Sequence, residues 1–346
     1  MDVSQRAAKI HDDSIVIDAH SDILMAVADG RVRLGERTKV NGVHTRDVRG
    51  HYDLPRWKDG GVTAQVCALF VRNTEIHYAL TRGLDMVAGA YHEIEENDDL
   101  VLVRTADEIR QAKRDGKVGL MLSFEGVDPL GNSLKLMPVF YELGVRMASL
   151  THARRNYFCG GIMRGDIGED GGLTPIGRDA IRMMNDLGIV VDVRHMDARA
   201  IGQVLEISTQ PVIFSHVNAI EAFPRSASDR TYFPYTKDSG INRRQMLKDI
   251  CGTDGVVCVI FWRQKSIDAI IDNMEYLAEE VGPEYVGLGS DFYGLDMVAA
   301  GMEDISRLPV LTEKMMQRGF SDNDIVGMLG GNMMRVLDRV LGKTGA

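Results

Sequence analysis

Short apolar runs rich in β-branched residues recur along this chain, with amphipathic segments between them. Eight such runs occur, at residues 15–18, 62–70, 118–124, 145–150, 189–193, 211–215, 255–260 and 285–289. Helical periodicity is clearest at residues 78–96, 134–143, 176–187, 198–207, 242–250 and 267–281. Near-continuous apolar strands that alternate with helices are typical of a parallel sheet buried on both faces. The pattern therefore predicts an α/β fold in which eight units close into a (β/α)8 TIM barrel.

We expect the chain to form one domain. Its 346 residues would allow two, but barrels of this type commonly use that length, and no repeat or Pro/Ser-rich linker divides the sequence. A doubly wound sheet would usually have a glycine-rich nucleotide-binding turn after its first strand, and no GxGxxG or GxxxxGK motif occurs. The prediction is a single domain over residues 1–346, with C-terminal helices over 321–342 packed outside the barrel.

Acidic residues outnumber basic ones, with 50 Asp plus Glu against 40 Lys plus Arg and a formal net charge of -10. Because no long basic run occurs, nucleic acid and anionic membranes are poor candidates as partners. The 4 cysteines lack CxxC spacing and indicate buried free thiols in a reducing compartment. The N-terminus has no apolar signal core, and no apolar stretch is long enough to span a bilayer. The expected location is the cytoplasm.

Polar side chains with metal-binding or acid–base chemistry stand at the C-terminal ends of six of the eight runs. In a parallel barrel these ends meet at one rim, where barrel enzymes have their active sites. Taken singly, a buried histidine is more often hydrogen-bonded in a core than bound to a metal, and an aspartate at a strand end often caps a helix. Agreement among six strands favours a common site. Its members are His20 and Asp22, Glu125, His152, His195, His216 and Asp291.

Two metal ions suit this set better than one. His20 and Asp22 lie two positions apart, so in extended backbone both side chains leave the same face. Imidazole nitrogen and carboxylate oxygen are ligands that zinc accepts, and the donors exceed what one tetrahedral ion with an open position needs. We assign His20, Asp22 and Glu125 to one Zn²⁺ and Glu125, His195 and His216 to a second, with Glu125 bridging. A hydroxide between the ions would be the nucleophile. His152 and Asp291 remain for catalysis.

Several stretches together resemble the renal or membrane dipeptidase family and its bacterial relatives, within the amidohydrolase superfamily of barrels. The resemblance extends over nearly the whole chain, and the order and spacing of the motifs agree. The matching stretches are residues 17–22, 124–126, 150–152 with Asn156, 172–177, 192–195, 211–216, 287–292 and 331–332.

The resemblance implies a binuclear zinc peptidase of the amidohydrolase-like barrel type that hydrolyses dipeptides, often with a D-residue on the C-terminal side. It also implies that His152 stabilises the developing oxyanion and that Asp291 passes a proton to the leaving amine. In the family, an arginine after the sixth strand pairs with the substrate carboxylate, as suits a planar guanidinium. A homodimer is plausible from the family alone.

The sequence departs from the family pattern at two places. The segment after His216 contains Arg225 and Arg230, followed by an added stretch over 232–240, so either arginine could be the substrate anchor, with a slight preference for Arg230. Tyr293 stands where relatives commonly have a second acidic residue. Both departures concern substrate choice. Two alternatives therefore stay open: hydrolysis of another small amide or lactam, such as an N-acyl amino acid or a β-lactam, and a barrel that binds metal or ligand without catalysis.

Overall fold

A computed structural model describes residues 3–38, 52–162, 171–223, 242–261, 263–294 and 298–341. Its strands form one parallel sheet that closes on itself, because β1 pairs with β2 on one side and with β9 on the other, and β2 pairs with β4. The strands are β1 Ile17–Asp18, β2 Ala64–Phe70, β3 Leu100–Leu102, β4 Val118–Glu125, β5 Val145–Ser149, β6 Val190–Asp192, β7 Val212–Val217, β8 Val257–Val259 and β9 Val286–Leu288.

The predicted (β/α)8 barrel is confirmed. Each of the eight predicted runs overlaps one of the eight strands that form the ring, although β4 and β7 extend past the ends of their runs. The short strand β3 is additional to the prediction and lies outside the ring. It pairs with the start of β4, from Leu100 opposite Val118 to Leu102 opposite Leu120, and β5 takes over the same edge of β4 from Leu122 onward. A three-residue strand is too short to give a readable pattern.

Helices follow or precede most strands and cover the outer face of the barrel. A large apolar cluster lies between these helices and the barrel, and it includes Leu120, Leu122 and Phe124 from alternate positions of β4. The helices are α1 Gln5–Asp13, α2 Ile23–Ala28, α3 Leu54–Asp59, α4 Ala79–Glu96, α5 Ala106–Arg114, α6 Leu136–Glu142, α7 Pro175–Leu187, α8 Ala198–Ile207, α9 Ala219–Ala222, α10 Arg243–Gly252, α11 Ile267–Val281, α12 Leu308–Gln317, α13 Asp322–Val326 and α14 Asn332–Leu341.

The last helix lies at the amino-terminal end of the barrel. One apolar cluster joins side chains of α14, such as Met333 and Leu337, to barrel residues such as Met121, Val190 and Ile213. A π-helical turn over Gly327–Gly331 connects α13 to α14. Burial of this end by packed apolar side chains leaves the opposite, carboxyl end of the strands for chemistry, as in other barrels.

All four cysteines are buried free thiols, as predicted. Within the described ranges, no helix combines the length and the apolar character that crossing a bilayer requires.

Candidate metal centre

The seven residues predicted to form the site come together at the carboxyl ends of the strands. These residues form three overlapping groups, and within each group the possible ligand atoms all lie within 4.8 Å of one another. Together they contain every member of the predicted set, although they divide it differently from the two predicted ligand sets. The groups are His20 with Glu125 and His216, Glu125 with His152 and His195, and His20 with Asp22 and Asp291.

Glu125 is the central member of the cluster. Its Oε1 atom lies 2.9 Å from Nε2 of His195, 3.4 Å from Nε2 of His20 and 3.5 Å from Nε2 of His216. Glu125 is the last residue of β4, a strand that is buried along its whole length, so its carboxylate has little contact with solvent. A single carboxylate that faces three imidazoles from three different strands is suited to join two ligand sets.

Unusual backbone conformations aim several of these side chains. His195 and Asp291 have φ angles of 66° and 63°, and Ala153, next to His152, has φ 55°. This left-handed region is uncommon for residues other than glycine, although Asn, Asp and His enter it more readily than most. Such conformations cost free energy and occur disproportionately at functional sites. Here they turn the chain sharply at three strand ends that contribute to the cluster.

Hydrogen bonds that a buried aspartate accepts connect neighbouring strand ends next to the cluster. Oδ1 of Asp192 accepts hydrogen bonds from the backbone N–H groups of Arg194 at 3.0 Å and Ser215 at 3.1 Å. The Ser215 hydroxyl also lies 2.9 Å from Nδ1 of His216. A partner at Nδ1 fixes the ring so that Nε2 is directed toward Glu125, which is the usual arrangement around metal-binding histidines.

A glycine closes the other side of the site. A Cβ atom on Gly294 would lie 2.2 Å from Oδ1 of Asp291 and 2.7 Å from Oδ2 of Asp22. Any side chain at this position would therefore displace one of the two carboxylates.

Burial shifts the pKa values of the cluster in opposite directions for the two residue types. Burial, and next to it the charge of Arg194, lowers the pKa of His20 and of His152 to about 3. The pKa values of His195 and His216 are lowered for the same main reason. Burial raises the pKa of Asp22 to about 7, and burial with the neighbouring Asp22 and Asp291 raises the pKa of Glu125 well above its usual value. At neutral pH the imidazoles are thus neutral, the form in which they bind metals.

Several polar atoms of the cluster are buried without a hydrogen-bond partner, namely Nε2 of His20, Oδ1 of Asp22, Oε2 of Glu125 and Nδ1 of His195. Unpaired buried polar atoms are costly and uncommon in folded proteins. Nitrogen and carboxylate donors of this kind are ligands that Zn²⁺ accepts. The donor set therefore fits a metal centre.

The two candidate substrate anchors, Arg225 and Arg230, lie outside the described residues, as does the added stretch over 232–240. Sequence reasoning missed the supporting residues Asp18, Asp192 and Gly294, and it also missed the buried Arg194, whose charge lowers the pKa of His20. Asp18 and Asp192 had a readable signal, because each stands two or three positions before a predicted ligand histidine at a strand end.

A closed parallel barrel with imidazoles and carboxylates at the carboxyl ends of its strands defines the class of barrel metallohydrolases. Within this class, the chain belongs to the family described as membrane dipeptidase (peptidase family M19), whose model matches residues 4–343. The resemblance seen in the sequence motifs is thereby confirmed, and the chain is a metallo-dipeptidase by family.

Known relatives agree with this assignment. Dipeptidase tcpJ of Claviceps purpurea (strain 20.1) is 29% identical over 308 residues, covering 86% of this chain and 71% of the relative. Dipeptidase verJ of Clonostachys rogersoniana is 29% identical over 356 residues, covering 97% of this chain and 86% of the relative. A metallopeptidase structure from Rhodobacter sphaeroides, liganded with a phosphinate mimic of the dipeptide L-Ala-D-Ala, has a TM-score of 0.79 at 24% identity and covers 95% of this chain and 100% of that chain. At that identity the likeness concerns the fold.

Proposed function

We propose that the chain hydrolyses the peptide bond of dipeptides, L-Xaa-L-Xaa or L-Xaa-D-Xaa, at a centre of two Zn²⁺ per chain. The ligands would be His20, Asp22, Glu125, His195 and His216, with Glu125 shared between the ions. The observation that carries the proposal is the position of the Glu125 carboxylate, whose Oε1 lies within 3.5 Å of three imidazole nitrogens. The names of the relatives and the dipeptide mimic bound by the Rhodobacter sphaeroides enzyme support a dipeptide as substrate.

Bound zinc would supply an activated water and polarise the scissile carbonyl. His152 is the residue proposed to stabilise the developing oxyanion. Its ring lies 4.4 Å from that of His195 and 4.2 Å from that of Phe70, measured between centroids. Because its pKa is lowered to about 3, the ring is neutral at pH 7 and has one N–H to donate to an oxygen that gains negative charge.

Asp291 is the residue proposed to move the proton. Its Oδ1 lies 3.7 Å from Nε2 of His20, which places the carboxylate at the edge of the cluster. In the reaction, water adds to the carbonyl carbon, Asp291 takes the proton that the water loses, and the C–N bond breaks as that proton passes to the leaving nitrogen. Water supplies all the atoms that the two product amino acids gain.

The substrate carboxylate is proposed to pair with Arg230 or Arg225, as in the family. The remaining parts of the proposal are a cytoplasmic location, a homodimer and one barrel domain over the whole chain with its last helices outside the barrel wall. The proposed binding partner is a small dipeptide substrate, and neither nucleic acid nor membrane is proposed as a partner.

Elemental analysis combined with hydrolysis assays tests the proposal. The purified protein is analysed for zinc and then assayed with a dipeptide library of mixed stereochemistry, before chelation, after chelation and after zinc is restored. N-acyl amino acids and β-lactams form a parallel panel. About two zinc per chain with dipeptide cleavage that chelation abolishes and zinc restores is the expected result. Cleavage of the second panel alone would replace the dipeptide by another amide, and metal without any cleavage would indicate a binding barrel.

A further inference from the structure

His152 stands at a sharp turn of the chain just beyond β5. The N–H of Arg154 donates to the carbonyl oxygen of His152 at 2.5 Å, and the hydroxyl of Thr151 donates to the carbonyl oxygen of Arg154. Ala153, between His152 and Arg154, has the left-handed φ of 55°. A turn of this kind is rare and strained, and strained backbone persists only where surrounding contacts hold it. The contacts of Arg154 therefore bear directly on the position of His152.

The side chain of Arg154 reaches two neighbouring strand ends. Its Nη2 lies 2.7 Å from Oδ1 of Asp128, which follows β4, and its Nη1 donates to Oδ1 of Asn73, which follows β2, at 2.6 Å. The side chains of Arg154 and Asp128 are only 15% and 9% exposed, so their ion pair is largely withdrawn from water. Because β2 and β5 both pair with β4, one guanidinium joins the ends of three consecutive strands of the ring.

The Asp128 carboxylate also packs close to the main chain of His152. A Cβ atom on Gly126, whose φ is 85°, would lie 2.8 Å from Oδ2 of Asp128 and 3.0 Å from the backbone nitrogen of His152. A side chain at Gly126 would therefore push against both groups. A shift of the Asp128 carboxylate would be felt at both ends of the turn, through Arg154 at one end and through the packing around Gly126 at the other.

The ring of His152 packs against a residue from the same strand ends. Its centroid lies 4.2 Å from that of Phe70, the last residue of β2. Phe70 precedes Asn73 by three residues, so Arg154 donates to the segment that carries this aromatic neighbour. The contacts of Arg154 with Asp128 and Asn73 thus act on the backbone of His152 and on the surface against which its ring lies.

We propose that Arg154, held by Asp128 and Asn73, is a positioning residue that keeps His152 where its N–H meets the developing oxyanion. This inference rests on the proposed function, in which His152 donates to that oxygen. A donor of this kind is effective only if its place is set before the reaction, and a displacement of about 1 Å can cost about a hundredfold in rate. Arg154 acts on the rate through His152 and not through the substrate.

A double-mutant cycle on the zinc-loaded enzyme tests this route. Arg154→Met should lower kcat about ten- to a hundredfold with little change in KM, because the contact with the oxyanion is made only in the transition state. In a His152→Ala background the same substitution should have no further effect on kcat, because the group that it positions is gone. Equal fold losses in the two backgrounds would mean that Arg154 acts by another route, and would overturn the proposal.

Lys314→Met is the matched control. Lys314 is 17% exposed and pairs with Asp268 at 2.7 Å, between two helices outside the barrel, so its loss should leave kcat unaltered. Asp128→Asn keeps the size of the side chain but removes its charge, and it should lower kcat in the wild-type background only. Wild-type kcat in both Arg154→Met and Asp128→Asn would overturn the proposal. The zinc content of every variant should equal that of wild type.

NMR of isotope-labelled histidine rings tests the position of His152 without turnover. The ring current of Phe70 shifts the signal of His152, which is assigned by its loss in His152→Ala. In Arg154→Met this signal should move, while that of His11, held between Thr312 and the carbonyl oxygen of Gly60, should stay. An unmoved His152 signal would overturn the proposal even if the enzyme cleaves dipeptides. Failure of the proposed function gives a different result, because wild type itself would then cleave no dipeptide.

Discussion

The carboxylate of Asp18 joins the first and last strands of the barrel, since its Oδ1 accepts a hydrogen bond of 2.7 Å from the backbone N–H of Ser290. Its Oδ2 accepts from the hydroxyls of Tyr52 at 2.6 Å and Ser290 at 2.5 Å. His20 follows Asp18 by two residues and Asp291 follows Ser290 directly, so this carboxylate fixes two cluster residues relative to each other. Asp192 and Ser215 form the same connection between the strand ends that lead to His195 and His216.

Replacement of Asp18 by alanine should destabilise the protein and weaken metal binding together. The substitution leaves the N–H of Ser290 and the hydroxyl of Tyr52 buried without their acceptor, at a cost of about 2–5 kcal/mol in the free energy of unfolding. Because the ends of β1 and β9 lose their connection, zinc affinity should fall as well. Denaturant unfolding and zinc titration measure the two effects.

Tyr52→Phe is the matched control, since it removes one hydrogen bond to Asp18 and leaves the connection between strands in place. It should cost about 1–2 kcal/mol and leave zinc affinity unchanged. Equal loss of zinc affinity in both variants would contradict the positioning role of Asp18.

The barrel and the cluster could be predicted because their signals are local. Each strand of the ring is a compact apolar run, and each cluster residue follows its run within four residues, so the rule that parallel strand ends converge was sufficient to place them together. The grouping of ligands could not be predicted. His152 lies in one group with Glu125 and His195, and Asp291 lies in another with His20, and these proximities depend on side-chain positions that only the folded chain defines.

Arg194 could not be recognised from the sequence for a different reason. An arginine beside a ligand histidine has no distinguishing pattern, and the lack of hydrogen-bond partners for its buried Nε and Nη1 atoms is a property of the folded chain. The position of α14 at the amino end of the barrel is likewise tertiary. Its amphipathic pattern predicts a helix, but an apolar face would pack equally well against another helix or against the barrel interior.

Glu125→Gln should lose zinc. The amide keeps the size of the side chain and one acceptor oxygen, but it lacks the charge and the second carboxylate oxygen that a shared ligand needs. We expect less than half of the wild-type zinc content after dialysis, measured by elemental analysis. Glu93→Gln is the control, because Glu93 is also buried but accepts from the backbone N–H of Leu34 at 2.7 Å, outside the cluster. Full zinc content in Glu125→Gln would refute the bridging assignment.

Asp291→Asn should keep both metals and lose turnover. Asparagine tolerates the left-handed conformation that Asp291 adopts at φ 63°, so the backbone should persist. The amide cannot take up a proton, and kcat should fall about 10²- to 10⁴-fold. Asp254→Asn makes the same change in the same backbone region, φ 66°, where the side chain pairs with Arg335 at 3.0 Å, and should leave kcat unaltered. Loss of zinc in Asp291→Asn would instead make this residue a metal ligand.

Zinc binding should release protons from carboxyl groups. At pH 6 the metal-free protein holds a proton on Asp22, whose pKa is about 7, and protonation is also favoured at Glu125, whose pKa is raised well above its usual value, whereas His20 is already neutral. Because folding raises the pKa of Asp22 from about 4 to about 7, the protonated carboxyl group stabilises the folded, metal-free protein below about pH 4. This stabilisation is lost as the pH rises through about 7. Zinc replaces these protons, so its affinity should rise with pH. Calorimetry in buffers of different ionisation enthalpy should find net proton release on zinc binding at pH 6. Absence of proton release at pH 6 would contradict the raised pKa values of the two carboxyl groups, and with them the burial of the cluster as its controlling feature.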